Sequence, residues 1–303
     1  MGGAGATGTA GAGAAGTTPT TGNGGAGAGT SGDAGTSGGA DTSGAGTGGN
    51  ADAATDRPAT NGGTTDGAPV SDAALGHFSF FETSLVAMRR LSKSQNGFGG
   101  DLRYGTADGL TGADKICTEI AETSMPGASA KVWHAFLSAA SGPGGQPVNA
   151  IDRIGDGPWY DRLGRTFALT KAALTNDRPM GADPAILNDL PNENGVPNHR
   201  PDPTVAAVDN HHVLTGSDGQ GKLYGANATC MSWTSTAKAS AADRPRIGFS
   251  WIEANRINWI SGQDEGGCGA GVNTTETGGS DPNNPIVGSG GGYGAIYCFA
   301  NAP

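Results

Sequence analysis

Every aromatic ring in this 303-residue chain lies toward one end: all five Trp, all five Tyr and all eight Phe fall at or after Phe78. A buried core needs such side chains, so folding is confined to that part of the chain. Residues 1–76 are almost wholly Gly, Ala, Thr, Ser, Asn and Asp, with no Lys and a single Arg, Arg57. They carry too little apolar surface to offset the entropy of ordering them, and a disordered spacer is expected there. As a Gly-rich coil it would reach ~45–50 Å. Gly does not recur strictly every third residue and Pro is sparse before Pro58, which excludes a collagen triple helix. Residues 77–303 are enough for one domain with a sizeable core.

The formal net charge is −10, about half of it on the spacer, where six Asp stand against Arg57. An acidic domain with scattered Arg argues against a nucleic-acid partner, which needs a basic patch. Arg89-Arg90 and Arg244-Pro245-Arg246 are the basic doublets, and both read as solvated surface. No apolar run approaches the roughly 18–20 residues of a transmembrane helix. No signal peptide opens the chain, and Met1-Gly2-Gly3-Ala4-Gly5-Ala6 lacks the Ser or Thr that myristoylation requires. A start directly into a spacer implies a leader that was trimmed, with lipid anchoring through it as one route to the surface. An extracellular or outer-surface location is the expectation.

Four cysteines punctuate the domain. Cys117 ends Thr111-Gly112-Ala113-Asp114-Lys115-Ile116-Cys117, Cys230 opens Cys230-Met231-Ser232-Trp233, Cys268 sits in a Gly-rich loop, and Cys298 lies in Ala295-Ile296-Tyr297-Cys298-Phe299. No two form a CxxC pair, which leaves zinc-ribbon and thioredoxin readings little support. Four Cys allow three pairings; four free thiols in a cytosolic protein are the alternative. Between the cysteines stand Trp133-His134-Ala135-Phe136-Leu137-Ser138 and Leu214-Thr215-Gly216-Ser217-Asp218.

Taken in this order, the motifs resemble the endostatin domain of collagens XV and XVIII and its bacterial relatives of unknown function, over roughly residues 84–300. The resemblance implies an α+β domain of the C-type-lectin-like fold and nested disulfides, Cys117–Cys298 and Cys230–Cys268. In the loop-entropy picture these would contribute at most about 5 and about 4 kcal/mol. It also implies a long loop, which carries the ligand in sugar-binding members of the fold; residues 176–212, rich in Pro, Asn and Asp, are the counterpart. The heparin and zinc expected of animal endostatins do not carry over. The Arg clusters are missing, and His77 is the only His near the domain start.

Local patterns supply the coarse elements. Ser84-Leu85-Val86-Ala87-Met88 reads as the opening strand. Thr111 with Asp114 looks like a capping box for a helix carrying Ile116, Cys117 and Ile120, ending before Pro126-Gly127. Val132–Leu137 reads as a core strand, residues 149–154 as a helical turn, and residues 159–167 as a hairpin about Gly164. Asn194-Gly195 signals another turn. Short strands are expected at Val213–Thr215, Met231–Thr234, Phe249–Ile252 and Ala295–Phe299. Strands with modest helices and much loop argue for α+β.

Chemistry is thinly marked. His211-His212 follows Asp209 and precedes Asp218, but adjacent residues on a strand face opposite ways. One core His and one exposed His are therefore expected. Asp189, Asn192 and Glu193, with Asp183, Asn188 and Asn194, offer oxygens of the kind calcium favours. They match no EF-hand loop, they lack the Glu-Pro-Asn or Gln-Pro-Asp triplet of sugar-binding C-type lectins, and a turn accounts for 192–195. There is no Gly-x-Ser-x-Gly, P-loop or His-Glu-x-x-His. Ser217-Asp218 reads as a turn, and no glycosidase carboxylate pair stands out. Most Trp are expected in the core. Trp259, beside Asn258 in a polar stretch, is the candidate for stacking on a sugar ring.

The expectation is a non-enzymatic recognition or adhesion domain binding a glycan, a matrix polymer or an extracellular protein. Trp259, Asn258, Asp218 and His211 are its candidate contacts, no cofactor is required, and calcium is a weaker option. A structural surface-layer component, or an enzyme with a site in residues 176–218, are the alternatives.

Overall fold

The structure, a computed structural model, describes residues 72–199, 210–238, 243–251, 258–275, 281 and 283–301. Residues 1–71 of the expected spacer therefore lie outside the described residues, as do 200–209 of the expected excursion, with Asp209 among them, and Ile252. In chain order the helices are α1 (Asp72–His77), α2 (Leu85–Ser92), α3 (Gly109–Ser124), α4 (Ala150–Arg153) and α5 (Lys171–Leu174). The strands are β1 (Phe80–Glu82), β2 (Trp133–Ala135), β3 (Trp159–Tyr160), β4 (Thr166–Ala168), β5 (His212–Leu214), β6 (Arg246–Phe249), β7 (Gln263–Asp264) and β8 (Gly292–Ala300). This is a mixed α and β architecture in which α3, at 16 residues, is the longest helix among the described residues.

The last apolar run becomes the spine. All nine residues of β8 are buried, as expected of a strand covered on both faces. The main sheet runs β1-β8-β5-β6-β7, with β2 also on β8. Antiparallel partners of Cys298 are Phe81 in β1 and Ala135 in β2, so these strands must flank opposite edges of β8. Its N-terminal half pairs in parallel with β5. β3 and β4 form the separate hairpin, with Gly164 at φ 78° in its turn.

One aromatic cluster fills the space beside β8. Phe80 stacks on Phe167, and Phe136, Trp259, Tyr297 and Phe299 surround them. α3 supplies the other face, burying Ile116, Cys117 and Ile120. The structure joins Cys117 to Cys298 and Cys230 to Cys268, the pairing that the resemblance implies. The first bond ties α3 to β8 across 181 residues of sequence.

Three local expectations are corrected. Residues 85–88 open α2 rather than a strand: Ser84 caps it by accepting from the Ala87 N–H, and Ala87, Met88 and Leu91 bury one face while Val86 stays 77% exposed. That is helical rather than alternating spacing. α3 begins before Thr111, because Asp108 is the cap and its carboxylate accepts from the Thr111 N–H at 2.9 Å. Asp114 instead meets Arg153, His134 and the Ala135 N–H. Residues 231–234 form no strand. Cys230, Met231, Ser232 and Trp233 have φ of 48°, 53°, 59° and 65°, a left-handed turn. Such backbone costs about 1–2 kcal/mol per residue. It is held by the Cys230–Cys268 bond and by buried Trp233, whose Nε1–H donates to Ser138 O at 2.8 Å.

Candidate functional site

A candidate surface site forms where β5 hands the chain to β6. After β5, Asp218 accepts from the N–H groups of Gln220 and Lys222, both at 2.9 Å, and closes a tight turn. The returning strand pairs Leu223 with Ser217, and Tyr224 N–H donates to Gly216 O at 3.0 Å. This sets the Tyr224 ring over β6, with the Arg246 guanidinium carbon 4.3 Å from its centroid. Arg246 is itself immobilised: it donates to Ser261 Oγ at 2.9 Å, to Asp264 Oδ1 at 3.2 Å and to Gly262 O at 3.2 Å. A cation against one ring face is attractive in its own right. The result is an aromatic surface braced on one face and still 50% exposed.

Tyr224 borders a cleft of about 350 Å³ lined by Gly225, Asn227, Ala228, Arg244 and Asp264. Arg244 donates to Glu265 O and Asp264 O and braces the floor. An apolar ring beside an amide and a carboxylate suits a ligand with a hydrophobic face and hydroxyl edges. The reading of Arg244-Pro245-Arg246 as solvated surface is corrected here: the Arg246 side chain is only 16% exposed.

The residues singled out from sequence do not assemble into a surface site. Trp259 is 0% exposed and cannot stack on an external ring. Gly248 lacks the side chain that would strike the Trp259 backbone, so this residue packs directly against β6. Its indole N–H donates to Leu174 O at 2.8 Å. Asn258 Oδ1 accepts from the N–H groups of Ile260 and Ser261, so the polar flank is turn-forming. Asp218 serves its own turn. His212 is buried, with Nδ1 2.5 Å from Glu265 Oε1. His211 is half-buried against Phe249, and the two imidazoles meet edge to face at 4.4 Å.

The calcium candidates are likewise engaged with separate partners. Asp189 pairs with His199, whose ring stacks on Trp251. Asn192 Oδ1 accepts from the Asn194 and Val196 N–H groups. Glu193 accepts from Ser84 N at 2.9 Å and from Ser84 Oγ at 2.6 Å. Among the described residues no three His, Cys, Asp or Glu side chains gather as a metal cluster.

Beneath this excursion lies a group of buried polar side chains that sequence reasoning missed. Glu82, Asn198, Asn210, Ser250 and Tyr293 are all essentially inaccessible. Burial pushes the Glu82 carboxyl well above its usual range; Asn198 and Ser250 face it and partly offset this, while Asp189 and Glu193 add to it. Neither residue reaches hydrogen-bond geometry with it, and neither Glu82 oxygen has a partner. Burial also raises the Glu193, Tyr293 and Tyr297 groups and lowers Arg178 to about 10. Phe80-Phe81-Glu82 could have flagged this group, since a Glu closing an apolar strand is rarely buried without a reason.

No protein-family model and no curated protein matches this chain.

Proposed function

We propose that this chain is a secreted or outer-surface recognition domain, without enzymatic activity, that binds a glycan or glycan-bearing polymer through the Tyr224 cleft. The observation that carries this reading is the exposed Tyr224 ring, held by Arg246 beside Asn227 and Asp264. Two disulfides support an oxidising compartment, and no helix among the described residues is long and apolar enough to cross a membrane. The endostatin-like, C-type-lectin-like assignment belongs to the same proposal. Its support is the nested disulfides and the run between α5 and β5 in which no described residue is in a helix or strand of the main sheet. The full chain should be screened against glycans and cell-wall polymers, with Tyr224→Ala in parallel. Binding that falls at least tenfold in Tyr224→Ala, with the melting temperature unchanged, is expected; binding indifferent to the substitution would remove the cleft from the reading.

A further inference from the structure

We propose that the face shared by α2, α3 and the turn at 192–196 docks a segment of a protein partner that carries one apolar side chain flanked by carboxylates. This face is separate from the Tyr224 cleft, and the proposal does not depend on that reading.

A pocket of about 280 Å³ lies between the two helices and the turn. Buried Ala87 and Ile120 form its depth, and Val86, 77% exposed, its lip. Small-molecule sites run to roughly 300–1,000 Å³, so this volume suits a single large side chain. Apolar exposure continues beyond the pocket. Asn194 lines it, and the next residue, Gly195, lies against Leu163, whose Cγ a Cβ at Gly195 would meet at 2.6 Å. Leu163 is 59% exposed and Val196 40%. Exposed aliphatic residues around one anchoring pocket are the pattern of a protein-docking surface.

The chemistry of the walls selects the anchor. Polar groups lining the pocket already have partners. Ser124 Oγ donates to Glu193 O and accepts from Arg162 Nε at 2.8 Å. Thr123 Oγ1 donates to Glu119 O at 2.7 Å. Both Glu193 carboxylate oxygens accept from Ser84. A polyhydroxylated ligand would have to compete with these bonds, whereas an aliphatic or aromatic side chain leaves them intact.

Charge selects what flanks the anchor. Arg90 lines the pocket, and Arg162 borders it through Ser124. Their acceptors here are uncharged: Arg90 Nη2 donates to Thr123 Oγ1 at 3.2 Å, and Arg162 Nη2 to Ser124 O at 2.7 Å. Arg90 acts electrostatically on Glu193, but Ser84 occupies that carboxylate. The nearby acids of α3 are engaged elsewhere, Glu119 with Tyr104 and Lys115, and Glu122 with the Gly127 and Ser129 N–H groups. Guanidinium groups placed this way retain N–H donors for carboxylates, which arginine takes in bidentate geometry. In a chain of net charge −10, such a rim favours an acidic segment and rejects a basic one.

The test uses the full chain and short fluorescein-labelled peptides with a central Ala, Leu or Phe flanked by Glu, Ser or Lys, read by fluorescence polarisation. The Glu-flanked Leu or Phe peptides should bind at least about tenfold more tightly than the Lys-flanked or central-Ala ones. Val86→Glu changes an exposed residue and sets a carboxylate one helical turn before Arg90, a pairing that helices favour. It should stay folded by circular dichroism and lose at least about tenfold in binding. Arg90→Glu should reverse the preference from Glu-flanked to Lys-flanked peptides and keep the need for Leu or Phe, a switch that a purely structural arginine would not produce. Equal binding of all the peptides, or none by any, would overturn the proposal, as would a flank preference unchanged in Arg90→Glu. A wild-type dimer in sedimentation that Val86→Glu disperses would overturn it too, by giving the face to a second copy of this chain.

Discussion

A carboxyl group buried without donors is held in its protonated form, and Glu82 should show this in the stability of the molecule. Burial raises its folded-state pKa well above the usual carboxylate range. The sign follows from linkage: the favourable contribution is complete below about pH 4.5 and is lost as the pH rises through the folded-state value. The wild-type chain should lose stability relative to Glu82→Gln on going from pH 4.5 to 8, as denaturant titrations at several pH values would show. Glu193 is shifted in the same direction, so a weaker slope should persist in the variant. Trp259 makes the opposite point about burial. Its ring contacts Phe136, Phe167, Tyr297 and Phe299, and Trp259→Ala should cost about 3–5 kcal/mol in chemical unfolding. If Trp259 were a surface platform, the same change would be nearly neutral. Its polar neighbour Asn258 suggests exposure when read in line, but that side chain serves a turn. Tyr224 carries no comparable local signal, because Arg246 and Asp264 reach it only through strand pairing.

At the scale of elements, the helices show how far short-range chemistry reaches. α3 was legible from Ile116, Cys117 and Ile120, which share one buried face. Its start was misplaced because Thr111 and Asp114 imitate a capping box, while Asp108 makes the bond. Asp108→Ala should therefore cost about 1 kcal/mol in thermal or chemical unfolding. Thr111→Ala, at an exposed position, should stay within about 0.5 kcal/mol of wild type. Equal losses at the two sites would return the cap to Thr111. The residue run 84–88 is too short for periodicity to separate helix from strand, and only the burial of Ala87, Met88 and Leu91 decides it. The left-handed turn at 230–233 could not be read at all. Nothing in Cys-Met-Ser-Trp favours positive φ, so the conformation is imposed by the disulfide and by the packing of Trp233.

For the whole molecule, the two disulfides act on loops of very different size. The Cys117–Cys298 bond spans 181 residues and the Cys230–Cys268 bond 38. In the loop-entropy account the outer bond contributes up to about 5 kcal/mol and the inner up to about 4. Cys117→Ala/Cys298→Ala should thus shift the denaturant midpoint further than Cys230→Ala/Cys268→Ala. The inner pair should instead show its effect locally, as faster proteolysis around residues 230–238. The chain sequence alone determined where the aromatic side chains of the core lie, because their placement is a matter of composition. It also determined that strands and modest helices alternate, and that the turns at Gly164, Asn194-Gly195 and Asp218 exist, because those depend on neighbours a few residues apart. Tertiary structure alone decided which Trp is buried, that Arg246 fixes Tyr224, and that Glu82 is buried facing Asn198 and Ser250. These outcomes depend on residues far apart in sequence, brought together by pairing along β8 and β6, and no local pattern encodes such proximity.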